Sequence, residues 1–254
     1  MILNLEHTTA QHLTQHPPLL LIHGLFGSIG NLGVIARAFQ DDYDVIQVDV
    51  RNHGHSAHSD QMNYPAMAQD IVETLDHLGV EQVSVIGHSM GGKIAMAFAD
   101  LAPTRVKQLV VLDMAPYAYQ ENHHDEIFKA LFAVKDAHPE SRKDATALMQ
   151  QFIKVPMVNQ FLLKSFYQGQ WRFNVDALYA GYAQILNWQA ISPCNVDALF
   201  LRGANSAYVA ERAQQDALKQ QFPQAQLRAI DNTGHWLHAE QPQAVIDEIK
   251  AFLD

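Results

Sequence analysis

Six short runs of apolar residues alternate with longer segments of helical periodicity along most of the chain. Four of these runs are almost uninterrupted by polar residues, which is typical of strands buried on both faces of a parallel sheet. Strands that alternate with helices favour a right-handed, doubly wound α/β architecture. The predicted strands are residues 18–23, 45–50, 83–88, 107–113, 198–202 and 225–231.

Several of the predicted helices have recognisable ends. Asn63 is a suitable N-cap, Pro65 fits the first turn, and Gly79 follows the last apolar position of the same helix. Pro103 ends the helix that follows the third strand, and Pro242 begins the last helix of the chain. These signals place helices between the strands, as a parallel sheet requires.

The alternation stops between residues 113 and 197, where the apolar residues follow only helical spacing. The simplest interpretation is a helical cap, residues 116–190, inserted into an α/β core of residues 1–115 and 191–254. Residues 114–192 hold seven basic and seven acidic side chains, so the net charge of −10 lies in the core, with 10 basic and 20 acidic residues. A neutral cap would admit an anionic substrate more easily than the acidic core.

Composition and charge restrict the classes of function. The 254 residues, 48% hydrophobic and 17% charged, fit one globular α/β domain with a core. A net charge of −10 argues against nucleic acid or an anionic membrane as the main partner. We see no signal peptide at the start of the chain and no apolar run long enough to span a bilayer. The single cysteine, Cys194, excludes an internal disulfide and suits a reducing compartment, so we expect a soluble, cytoplasmic protein.

The strongest chemical signal is the motif Gly-x-Ser-x-Gly at residues 87–91, which places Ser89 between a predicted strand and a helix. In such a turn the serine adopts a strained conformation, and side chains two positions away would collide with the backbone. The following helix directs its amino terminus at the serine, so the backbone N–H of Met90 can stabilise an oxyanion. We assign the second oxyanion donor to the backbone N–H of Leu25, in the glycine-rich loop after the first predicted strand.

A serine nucleophile needs a base within hydrogen-bond reach. In α/β folds that carry the Gly-x-Ser-x-Gly motif between a strand and a helix, the base follows the last strand. His235 lies there, on a turn marked by Asn232 and Gly234. His238, three residues later, is expected to face elsewhere and to lie on the surface. Position therefore selects His235 among the 14 histidines of the chain.

The acid is harder to place, because the loop after the next-to-last predicted strand offers Asn205 and Ser206 but no carboxylate. Neither side chain can offset the charge of an imidazolium. Asp113 ends the neighbouring strand at the same edge of the sheet and is the predicted acid; the alternative is that it only anchors the chain where it leaves for the cap. Asp49 is expected to organise the turn that follows it, and Asp197 lies at the wrong end of its strand.

With these residues placed, the sequence resembles the YbfF group of small bacterial esterases in the α/β-hydrolase superfamily, along essentially the whole chain. The resemblance implies hydrolysis of short acyl esters and of acyl-CoA thioesters, without a metal or an organic cofactor. It also implies an acid on the strand before the cap, which points to Asp113. The expected α/β-hydrolase fold has a mostly parallel eight-stranded sheet flanked by helices, with the cap inserted after the sixth strand. The matching motifs occupy residues 23–28, 49–54, 63–68, 87–93, 161–166, 171–174 and 234–236.

Several alternatives stay open at this point. The scaffold could carry another reaction, such as that of a lactonase or of the menaquinone-pathway lyase, although the displaced acid disfavours the lyase. A non-catalytic binding protein for small molecules is the alternative from a different class. Dehalogenases and epoxide hydrolases are excluded because they need an aspartate in place of Ser89. Acyl chain length, leaving group and oligomeric state are not determined by the sequence.

Three further features of the sequence are better explained by structural roles than by chemistry at the site. Three histidines at residues 53–58 lack the carboxylates or cysteines of a standard zinc site, so no metal is expected. Lys93 and Arg51 lie near the nucleophile in sequence and could contact a substrate. We expect instead a solvated lysine on a helix and an arginine that braces its turn. Cys194 is expected to be a packed thiol.

Overall fold

The computed structural model describes residues 1–12, 15–120 and 124–254. Nine strands lie in this part of the chain: β1 (Leu5–Thr8), β2 (Leu19–Ile22), β3 (Val45–Val48), β4 (Val83–His88), β5 (Val106–Leu112), β6 (Phe166–Tyr167), β7 (Gln170–Trp171), β8 (Asp197–Gly203) and β9 (Gln226–Ile230). Seven of them form one sheet in the order β1-β3-β2-β4-β5-β8-β9, and β6 and β7 form a separate pair. All neighbours in the large sheet are parallel except β1 and β3.

The six predicted strands are confirmed as β2, β3, β4, β5, β8 and β9, and the fold is the expected one. The described sheet nevertheless has seven strands rather than eight, and the cap follows the fifth strand in chain order, not the sixth. Before β2, the described residues supply only the antiparallel strand β1. Pro17 and Pro18 stand directly before β2, and proline cannot donate to a sheet ladder, so they separate β2 from the amino-terminal segment.

The helices of the core are α1 (Gly33–Phe39), α2 (Tyr64–Leu78), α3 (Met90–Leu101), α9 (Arg212–Gln221), α10 (Leu237–Glu240) and α11 (Pro242–Leu253). The predicted ends of α2 are confirmed: Asn63 Oδ1 accepts a hydrogen bond from Ala66 N–H at 3.0 Å, and Gly79 is left-handed with φ 67°. Two short 3₁₀ helices, Ile29–Leu32 and Pro103–Arg105, complete the core. None of the described helices combines the length and the apolar composition that crossing a bilayer requires.

Both faces of the sheet are covered, which explains the uninterrupted apolar strands. In β5, Leu109 and Val111 pack into the larger cluster, together with α2, α3 and the cap. Val110 and Leu112, between them in sequence, pack on the opposite face with α1 and α11. Successive side chains of a strand point to opposite faces, so residues 109–112 of this central strand are all buried.

The cap contains α4 (Asp125–Ala137), α5 (Arg142–Met149), α6 (Pro156–Leu163), α7 (Val175–Ala180) and α8 (Tyr182–Leu186), all within the predicted residues 116–190. It also contains β6 and β7, which were not predicted. Their turn has two left-handed residues, Gln168 with φ 49° and Gly169 with φ 80°. Strands of two residues are too short to show any periodicity in the sequence.

Candidate active site

Ser89 lies in the sharp turn between β4 and α3, with φ 55° and ψ −120°. Its N–H donates to Leu112 O at 3.0 Å, which ties the turn to β5. A Cβ on Gly87 would lie 2.2 Å from Gly91 O, and one on Gly91 would lie 2.2 Å from Ile22 O. Only glycine fits at both positions, so the motif is explained by close backbone contacts, as the sequence predicted.

The structure brings the three predicted side chains together. Ser89 Oγ lies 2.9 Å from His235 Nε2, and His235 Nδ1 lies 2.7 Å from Asp113 Oδ2. Because the carboxylate can only accept, Nδ1 carries the proton and Nε2 is free to accept the serine proton. Asp113 is 0% exposed, whereas the side chain of His235 is 21% exposed. A buried carboxylate, an imidazole and an accessible hydroxyl therefore form one continuous hydrogen-bonded chain.

The carboxylate of Asp113 has two further donors. Its Oδ1 accepts from Gly203 N–H at 2.9 Å, and its Oδ2 accepts from Ser206 Oγ at 2.5 Å. Asp113 has a left-handed backbone, φ 52°, directly after β5. Its contact with His235 means that it does more than anchor the chain to the cap. Sequence reasoning rejected Ser206 as an acid and missed its bond to Asp113; its position in the loop after β8 was the available signal.

Two buried histidines pack against the loop of His235. His88 Nε2–H donates to His235 O at 2.9 Å, and the ring of His238 lies 4.4 Å from that of His88. The expectation that His238 lies on the surface is wrong, since it is 8% exposed. Burial lowers the pKa of His238 to about 4, and burial together with His238 and His235 lowers that of His88 well below its usual value. Both rings are therefore neutral at neutral pH.

The loop of Leu25 runs beside the nucleophile. A Cβ on Gly24 would lie 3.2 Å from Ser89 Cβ, which shows how closely the two segments approach. The next backbone N–H, that of Phe26, donates to His53 Nε2 at 3.0 Å. Met90 is the first residue of α3, so its N–H has no acceptor within the helix.

Two neutral histidines hold this loop. His23 accepts from Val50 N–H through Nε2 at 3.1 Å, and its Nδ1 lies 2.8 Å from Gly24 O. His53 accepts from Phe26 N–H, and its Nδ1 lies 2.9 Å from Arg51 O. Burial lowers the pKa of His23, and it lowers the pKa of His53 to about 3. Each ring thus uses one nitrogen as donor and the other as acceptor, which fixes the loop relative to the end of β3.

A small cavity of about 50 Å³ opens at Ser89. On the core side it is lined by the Leu25 loop, His88, His235 and Trp236; the cap contributes mainly apolar side chains. Among the cap aromatics, Phe161 reaches this cavity, whereas Tyr167 and Tyr179 are exposed. The apolar lining on the cap side suits an acyl group.

Comparison with known proteins agrees with the fold described above. A family model described as the alpha/beta hydrolase fold matches residues 17–148. The chain is 48% identical to Esterase YbfF of Escherichia coli strain K12 over 254 residues, which span 100% of both chains. The chain belongs to the α/β-hydrolase family. The resemblance to the YbfF group is thereby confirmed.

Two further relatives narrow the activity of this α/β hydrolase. It is 36% identical over 249 residues to sn-1-specific diacylglycerol lipase ABHD11 of Mus musculus, covering 93% of this chain and 81% of that protein. A solved structure of a marine microorganism esterase matches it with a TM-score of 0.92 at 35% identity, over 99% of each chain. The protein is an ester hydrolase of the esterase and lipase type.

Two of the three histidines at residues 53–58 of the hydrolase, His53 and His55, have other partners. His53 uses both ring nitrogens for backbone groups, as described above, and His55 Nε2 lies 2.7 Å from Arg172 Nη1. In the described part of the chain, no group of three His, Cys, Asp or Glu side chains is arranged to hold a metal ion. Asp49 accepts from Ile29 N–H and His55 N–H, both at 2.9 Å, so it organises the turn as expected.

The predictions for the two basic residues near Ser89 in sequence have different outcomes. Arg51 braces its turn as predicted, with Nε donating to Asp70 Oδ2 at 2.7 Å. Lys93 was expected in solvent, but it is 1% exposed, and its Nζ donates to Leu186 O at 2.9 Å and Asn187 O at 3.1 Å. Burial lowers the pKa of Lys93 to about 7. Neither residue lines the cavity at Ser89.

Proposed function

We propose that the enzyme hydrolyses carboxylic esters and acyl thioesters through an acyl-enzyme on Ser89, with His235 as the base and Asp113 as the acid. The observation that carries the proposal is the pair of hydrogen bonds that joins Ser89 Oγ to His235 and His235 to Asp113. Serine becomes a useful nucleophile only when a base within this distance takes its proton.

In the first half of the reaction, Ser89 Oγ attacks the acyl carbon and passes its proton to His235 Nε2. Asp113 holds the other nitrogen and stabilises the positive charge of the ring. The protonated His235 then gives its proton to the departing alcohol or thiol. In the second half, water takes the place of Ser89 Oγ, and the same transfers release the acid.

The oxyanion of each tetrahedral intermediate binds the backbone N–H groups of Leu25 and Met90. The N–H of Met90 has no helical acceptor and lies at the positive end of α3. Phe26 N–H already donates to His53, which leaves Leu25 as the donor on the other side of Ser89. Donors that are fixed before the reaction need no rearrangement as the charge develops.

The cavity and the relatives support this substrate class. The cavity beside Ser89 is small, about 50 Å³, so it suits a short acyl group better than a long one. The named activities of the relatives are those of an esterase and a diacylglycerol lipase, both of which cleave acyl esters. A cap without net charge tolerates the anionic leaving group of an acyl-CoA. The single cysteine supports a cytoplasmic location.

The test is a comparison of kcat/KM for aryl esters and acyl-CoAs of increasing acyl length, using the purified full-length chain. We expect turnover of short aryl esters and of short acyl-CoAs, with loss of both activities in Ser89→Ala. Ser192→Ala, which alters an exposed serine far from the site in sequence, serves as the matched control. Aryl ester turnover without any acyl-CoA turnover would remove the thioester part of the proposal.

A fluorophosphonate probe separates an enzyme from a non-catalytic binding protein. The probe should label the wild-type chain and the Ser192→Ala variant, but not Ser89→Ala. Absence of labelling in the wild type, or full turnover by Ser89→Ala, would contradict the proposal.

A further inference from the structure

The aromatic ring of Tyr208 lies almost flat on the imidazole of His235. The ring centroids are 4.1 Å apart and the planes differ by 26°. Among the described residues, two other rings lie next to His235. They are more distant, His88 at 4.9 Å and Trp236 at 6.1 Å, and both are more steeply tilted. The imidazole therefore presents one face to the π system of a single side chain that the proposed mechanism does not use.

Tyr208 is held in this position from its backbone. Its carbonyl oxygen accepts a hydrogen bond from Tyr119 Oη at 2.5 Å, and Tyr119 Oη in turn accepts from Ala115 N–H at 3.1 Å. The rings of Tyr208 and Tyr119 also meet edge to face, with centroids 5.4 Å apart. The next residue, Val209, is buried in the core. The stack on His235 is thus fixed by the segment that links β5 to the cap.

The charge of the stack changes during the reaction. Burial raises the pKa of Tyr208 to about 12, so its phenol stays neutral at neutral pH. His88 and His238 are neutral as well, as shown above. In the proposed mechanism, His235 becomes an imidazolium when it takes the proton of Ser89. A cation over an aromatic face is attracted by the negative face of the ring, and a neutral imidazole gains much less.

We propose that Tyr208 is a positioning residue whose ring face selectively stabilises the protonated form of His235 during acyl transfer. The inference rests on the proposed function, in which His235 is the base. Because the interaction is stronger in the transition state than in the resting enzyme, it acts on kcat rather than on substrate binding. A ring that only filled space, or that only contacted the leaving group, would not act in this way.

The experiment replaces Tyr208 in the full-length chain with phenylalanine and with pentafluorophenylalanine, two rings of similar shape but opposite face charge. Relative to Tyr208→Phe, the fluorinated variant should have a kcat for p-nitrophenyl acetate that is lower by about 2- to 30-fold, with KM unchanged. Because His235 should hold its proton less strongly in the fluorinated variant, the acidic limb of that variant's kcat/KM profile should shift towards lower pH. The thermal midpoints of the two variants should agree.

The same pair of substitutions at Tyr179, an exposed cap residue, is the control and should leave the kinetics unchanged. Equal kcat values and superimposable pH profiles for the two Tyr208 variants would overturn the inference. A change in KM alone would also overturn it, because it would make Tyr208 a substrate contact. The proposed function fails separately, if His235→Ala retains activity.

Discussion

The substitution Asp113→Asn tests the site most sharply, because it changes the hydrogen-bond pattern with little change in shape. The two carboxylate oxygens accept three hydrogens, from Gly203 N–H, Ser206 Oγ–H and His235 Nδ1–H. An amide has one acceptor and one donor group, so the new NH₂ must face either Gly203 N–H or both His235 and Ser206. When the NH₂ faces His235, the ring must keep its proton on Nε2, where the serine proton has to go.

The expected cost follows from this wrong tautomer. In serine hydrolases such a change lowers kcat by about 10⁴-fold, which corresponds to about 5 kcal/mol of transition-state stabilisation. The alternative amide orientation keeps the tautomer but sets the NH₂ against the buried Gly203 N–H. An unsatisfied buried donor costs about 1–3 kcal/mol of stability. The variant should therefore fold, with a lower thermal midpoint and very little activity.

The assay compares kcat for p-nitrophenyl acetate in Asp113→Asn, Ser206→Ala and Asn205→Ala. Ser206→Ala removes one of three donors to the carboxylate, so its loss should be about 10- to 100-fold and smaller than that of Asp113→Asn. Asn205 is exposed and should be silent. If folded Asp113→Asn kept kcat within about tenfold of the wild type, the assignment of the acid would be refuted.

Three other features of the structure give measurable expectations. Burial lowers the pKa of Lys93 to about 7 from 10.5, so between these pH values only the unfolded chain keeps the proton. The free energy of unfolding should therefore rise with pH over this range. Lys93→Met should remove this slope when unfolding in urea is measured at several pH values. Gly91→Ala should abolish activity because its Cβ would lie 2.2 Å from Ile22 O, while Gly30→Ala, with nothing within 4 Å, should be neutral in the same assay. His53→Phe removes a buried acceptor and should lower the unfolding free energy by about 1–3 kcal/mol; an unchanged value would contradict that role.

The parallel strands and the nucleophile turn could be predicted because one physical cause dominates each. Central strands are buried on both faces and so become mainly apolar runs, as in β4 and in residues 109–112 of β5. The glycines around Ser89 are required by backbone contacts. Asp113 could be proposed as the acid because the loop after β8 lacks a nearby carboxylate and β5 ends at the same edge of the sheet. The proximity of the three side chains itself needed the structure.

The features that the sequence analysis missed leave a weaker local signal in the sequence. β1 has four residues, none of them buried, so its antiparallel pairing with β3 leaves no apolar pattern. Lys93 was placed in solvent from its residue type alone, although α3 is apolar on all sides and its residues 90–96 are all buried. A helix that is hydrophobic all round is a buried helix, which was the signal available. His238 was misplaced because the contact with His88 joins segments that are distant in sequence.

The central claim is that Ser89 carries the acyl group between the two halves of the reaction. The most direct measurement is rapid acid quenching during turnover of p-nitrophenyl acetate, followed by mass spectrometry of the peptides. We predict one acetyl group on Ser89 within the first turnover, and its accumulation should accompany a burst of nitrophenol if deacylation is slower than acylation. Steady turnover in Ser89→Ala, or an acetyl group on another residue at catalytically competent rates, would contradict the account.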